Sequence, residues 1–138
     1  MDHVQLTAED RTSIDRAEAA LRRGGWASRL TLDGAFETWG ALSRELGTGY
    51  KDTVEEYSHA LTARDWLEAA WPMVSDGVRA AREAELAGLD EAFRESTEDD
   101  DGALLGRFFH VTNAPWWWRR RPRLLAGEFA EDVRRTDG

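Results

Sequence analysis

The 138-residue chain carries 27 acidic and 18 basic side chains, a formal net charge of −9, with 41% hydrophobic residues and no cysteine. That length suits one domain removing roughly 70% of its unfolded surface from water, and the missing thiols exclude disulfides, cysteine nucleophiles and Cys-ligated metal centres. No apolar run reaches the roughly 18 residues of a membrane span, and MDHVQLTAED lacks the basic and apolar regions of a signal peptide, so a cytoplasmic location is expected.

Helix signals recur along the chain. After Thr7, AEDRTSIDRAEAALRR sets Ile14, Ala17 and Leu21 on one face, opens with acidic residues and closes with arginines before Gly24-Gly25, which predicts a helix over 8–23. LDGAFETWGALSRELG then repeats Leu32, Phe36, Trp39, Leu42 and Leu46 every three or four residues, with Thr31 as N-cap and Gly47 as stop. DTVEEYSHAL offers Val54, Tyr57 and Leu61 as a short third helix. Thr62-Ala-Arg-Asp65 has the pattern of a cap for a fourth, whose apolar side is Trp66, Leu67, Ala70 and Trp71. Pro72 lacks an N–H and predicts a break.

From Ser75 a long helix keeps Val78, Ala81, Arg82, Glu85, Leu86, Leu89 and Phe93 near one stripe, until the acidic TEDDDG ends it as a solvated loop. ALLGRFFHV is the one segment where a strand is arguable. APWWWRRRP, residues 114–122, fits a helix of at most two turns between Pro115 and Pro122, capped by Thr112 or Asn113. Pro122 then opens a final helix through Leu125, Phe129 and Val133. Together these elements predict an all-α fold, an irregular bundle of five to seven helices in a single domain spanning 1–138.

Catalytic motifs are missing from the sequence. No serine sits in a G-x-S-x-G elbow, and RRGGWASR lacks the preceding strand and following Lys-Ser/Thr of a phosphate loop. ESTEDDDG lacks the spaced ligands of an EF-hand. Glu56 and His59 form one Glu-x-x-His pair, the spacing of di-iron bundles, but neither His3 nor His110 completes a second. No cofactor is expected, and Glu56 with His59 is the metal or small-ligand alternative.

Trp116, Trp117, Trp118, Arg119, Arg120 and Arg121 are the candidate partner-binding residues. Three consecutive indoles fan over about 200° of a helix, so they cannot share one face, and arginines three and four positions on can cover them. Tryptophan and arginine are also enriched at interface hot spots. The charge is uneven: residues 1–102 hold 11 basic and 23 acidic side chains, net −12, against 7 and 4, net +3, in 103–138. Such a field opposes nucleic acid and anionic lipid and favours a basic protein partner. The expectation is a non-catalytic protein-interaction module, regulatory, adaptor or of the immunity or antitoxin kind, with an acidic body and a Trp/Arg patch. The alternatives are a metal-dependent or small-ligand protein built on Glu56 and His59, and a helical protein whose Trp/Arg cluster is purely structural.

Overall fold

The computed structural model describes residues 5–26 and 30–137; His3, Ser28 and the end of RRGGWASR lie outside them. Among the described residues the chain is mostly helical, with α1 (Ala8–Arg23), α2 (Leu32–Glu45), α3 (Val54–Ala70), α4 (Asp76–Glu95) and α5 (Gly127–Asp137). A two-stranded antiparallel ribbon of β1 (Thr97–Asp99) and β2 (Arg120–Pro122) corrects the all-helical expectation.

The first four helices start where the capping chemistry puts them. Thr7, Thr31, Thr53 and Ser75 each accept, through the side-chain oxygen, the backbone N–H three residues on. Asp10 also accepts the Thr7 N–H, completing a capping box, and takes a bond of 2.6 Å from the Ser75 hydroxyl. The Ser75 N–H in turn donates to Ser13 Oγ at 3.0 Å, so the start of α4 is tied to the first turns of α1.

α3 runs unbroken through Leu61 and Thr62, where two helices were expected. Thr62 is no cap: its hydroxyl donates back to the Ser58 carbonyl at 3.0 Å, a bond available to threonine inside a helix. Leu61, Ala63, Trp66, Leu67 and Ala70 continue the buried surface across the join. Because α3 is buried around most of its circumference, it serves as the axis on which α1, α2 and α5 pack. The break at Pro72 does occur, as a 3-10 turn over Trp71–Met73 between α3 and α4.

One contiguous apolar cluster draws on all five helices, with Leu21, Phe36, Trp39, Trp66, Phe93 and Phe129 among its members. Tyr50, Tyr57 and Phe129 meet edge to face at centroid separations of 5.5, 6.1 and 5.1 Å, which joins the α2–α3 connection to α5.

The C-terminal third departs most from expectation. TEDDDG is not a free loop: it supplies β1, in which Glu98 pairs with Arg121 and Asp99 with Arg120, opposite charges in register. Gly102, at φ +84, then turns the chain, and the N–H groups of Asp100 and Gly102 donate to the Arg119 carbonyl at 3.4 and 3.2 Å. ALLGRFFHV forms no strand but a 3-10 turn over Leu105–Arg107. Pro122 closes β2 instead of opening a helix, since proline holds its predecessor extended and Arg121 is thereby kept in the ribbon. The last helix begins at Gly127, φ +52, where an added Cβ would lie 2.5 Å from the Lys51 carbonyl oxygen.

Candidate functional site

The six candidate residues of the Trp/Arg stretch are brought together, but not as an α-helix. Trp116–Arg119 is a single 3-10 turn led by an extended Pro115, and neither Thr112 nor Asn113 caps it. Three residues per turn separate consecutive side chains by about 120°, so the indoles diverge. Trp117 is 2% exposed, while Trp116 and Trp118 are half-buried against the core. Trp116 meets Phe93 edge-on at 6.0 Å and Trp118 meets Phe109 at 5.8 Å.

Although the rings diverge, two of their N–H groups converge on one carboxylate. Trp117 Nε1 donates to Asp65 Oδ1 at 2.8 Å, and Trp118 Nε1 reaches both Asp65 oxygens at 3.0 Å. The guanidinium groups over the indoles come from α3 and α4, not from the following arginines as the spacing suggests: Arg64 lies 4.3 Å from the Trp117 ring and Arg94 4.0 Å from Trp116. Arg64 is itself only 5% exposed and grips Asp90 with Nε and Nη2 at 2.9 and 3.0 Å. Asp90 also accepts the Trp39 indole N–H at 3.0 Å, so one network runs from the α2–α4 core to the Trp/Arg corner.

The three consecutive arginines also face the chain. Arg119 lies 3.6 Å from Asp101, and Arg120 donates to Thr97 Oγ1 at 2.8 Å and to the Arg94 and Thr97 carbonyls at 3.2 Å. Arg121 stands in β2, half-buried. Acidic β1 and basic β2 thus tie the positively charged tail to the body.

Burial raises the Asp65 carboxyl above its ordinary value, with the two indole bonds and Arg64 acting against it. A folded value above the unfolded one means that Asp65 favours folding most at acid pH, and that this contribution declines as pH rises through the carboxylate range. Asp65→Asn keeps an oxygen that accepts an indole N–H but cannot titrate. Relative to that variant, the wild type is expected to lose stability in urea unfolding as pH rises past the ordinary aspartate value and through the raised one; a difference that stays constant with pH would contradict the assignment.

Glu56 and His59 come within 3.6 Å on α3, and both side chains are more than half exposed. Among the described residues no group of three or more His, Asp or Glu could hold a metal ion, so this pair has no third ligand among them. A metal centre needs three or four ligands at close range, which two solvated groups on one helix turn do not supply.

Glu56 instead belongs to a groove of about 500 Å³ between α2 and α3. Glu37 and Glu45 line it from α2, Asp52 from the connection before α3 and Glu56 from the first turn of α3, and Gly34, Ala41 and Ala60 keep it open by their small size. A neighbouring depression of about 490 Å³ shares Glu45 and Asp52 and adds Glu128, with Lys51 as its basic residue. Glu37, Glu45 and Asp52 make no ion pair among the described residues. Tyr50, 6% exposed, also lines it. Motif reading reaches only Glu56; the one local trace of the groove is the spacing of Glu37, Ala41 and Glu45 by four, a polar stripe on the outer side of α2.

Comparison of the chain with protein-family models, with curated proteins and with solved structures gave no match.

Proposed function

We propose that the protein is a non-catalytic interaction module, a single-domain irregular helical bundle acting in the cytoplasm, that binds a basic protein partner through its acidic α2–α3 face. A regulatory, adaptor or antitoxin-like role fits that mode of action. The observation that carries the reading is the set of carboxylates along the groove, Glu37, Glu45 and Asp52, that have no cationic partner among the described residues. Some acids elsewhere are neutralised in place, as at Asp33 with Arg82, Asp90 with Arg64 and Glu98 with Arg123, whereas those of the groove lie together along one slot. A field of this sign speeds encounter with a positively charged surface.

In this reading the Trp/Arg corner braces the ribbon against α3 and α4, and contact with a partner there is limited to the outer edges of Trp116 and Trp118. No helix among the described residues is long and apolar enough to cross a membrane. Calorimetric titration against candidate basic partners, starting with the products of neighbouring genes, tests the proposal. Affinity is expected to fall by roughly tenfold or more between low salt and 0.3 M salt as the charges are screened. No complex, or one indifferent to salt, would remove it.

A further inference from the structure

We infer that the α2–α3 groove receives one arginine or lysine side chain of a basic polypeptide, its head group bonded to the Tyr50 hydroxyl and balanced by Glu45, Asp52 and Glu56. The inference rests on the proposed function and names the anchor point of that contact.

Tyr50 is the observation that points to an occupant. Its ring is fixed from behind by Tyr57 and Phe129, and the side chain is buried except where it lines the groove. Its hydroxyl makes no hydrogen bond with any described residue, and the side chain reaches the open space of the groove, so the oxygen is available to accept a bond from an arriving donor. Burial and the nearby Asp52, Glu45 and Glu56 carboxylates all push the phenol up, so it remains neutral and keeps lone pairs to offer a donor.

The chemistry of the walls selects the ligand class. Acidic residues line the groove with no arginine or lysine among them, which opposes an anion and attracts a cation. The carboxylates are spread along the slot and not gathered as a metal cage, as the absence of a three-ligand cluster among the described residues requires. Leu42, Ala41 and Ala60 supply apolar wall for an aliphatic stem. A long side chain with an apolar stem and a cationic head matches both features, and the volume is within the range of side-chain and ligand pockets.

Fluorescence anisotropy with labelled hexa-arginine at low salt tests the inference. Tyr50→Phe removes only the hydroxyl and leaves the ring packed; it is expected to weaken binding about fivefold, and Glu45→Gln with Asp52→Asn about tenfold or more. The control Glu9→Gln with Glu83→Gln makes the same charge change at exposed sites on α1 and α4, and is expected to cost less than about twofold. If the control weakens binding as much as the groove pair while Tyr50→Phe binds like wild type, the groove is overturned and the acidic-face reading stands. If the wild type does not bind hexa-arginine at all, both are overturned. If spermidine binds as tightly with the same dependence on Tyr50, the occupant is a free polyamine and the polypeptide assignment is overturned.

Discussion

Replacing Trp117 with alanine is expected to destabilise the protein by about 3–5 kcal/mol, the range for truncating a large buried aromatic side chain. Trp117 is 2% exposed, donates to Asp65, and carries the Arg64 guanidinium on its face. Alanine would open a cavity under the 3-10 turn, leave Asp65 with one indole donor and strip Arg64 of its aromatic support. β2 follows directly on that turn, so its pairing with β1 would loosen as well. Trp118→Ala, at a half-buried position, is expected to cost less. Urea unfolding of both variants reads the order; a Trp117→Ala protein within about 1 kcal/mol of wild type would return the cluster to the status of a partner surface.

The second large effect is expected at Arg64. Arg64→Ala should cost about 3–5 kcal/mol, because it leaves the Asp90 carboxylate buried without its charge partner. The diagnostic form is a double-mutant cycle. Arg64→Met keeps much of the side-chain volume, and Asp90→Asn keeps an acceptor for the Trp39 indole while removing the charge. If the pair is the hub linking the α2–α4 core to the Trp/Arg corner, the double variant should lose less than the two single variants summed, by about 1–3 kcal/mol. Simple additivity would show that Arg64 and Asp90 act independently.

The starts of α1, α2 and α4 were legible because each is a local event. Thr7, Thr31 and Ser75 satisfy backbone donors within one turn of themselves, and Pro72 acts on its immediate neighbour. The same local rule misled at Thr62, whose cap-like context is overridden by a continuous buried surface from Leu61 to Ala70. The ribbon was hidden because its two strands are separated by the whole 100–119 segment. Even so, an acidic TEDD facing a basic RRRP, with Pro122 demanding an extended predecessor, is consistent with a charge-paired strand pair. The α2–α3 groove had no comparable mark. Tyr50 reads as the end of a turn in GTGY, and its unbonded hydroxyl and acidic neighbours emerge only when α5 and α3 close behind its ring.

On the proposed reading, partners are met by the acidic α2–α3 face while the tryptophan cluster is held in the fold. A ¹⁵N-resolved NMR titration with hexa-arginine tests both halves at once. The account predicts shifts concentrated on the backbone amides around Glu37, Glu45, Tyr50, Asp52 and Glu56, with the Trp117 and Trp118 indole N–H signals unmoved on Asp65. Indole signals that shift together with Arg119 to Arg121, while the groove amides stay still, would contradict it.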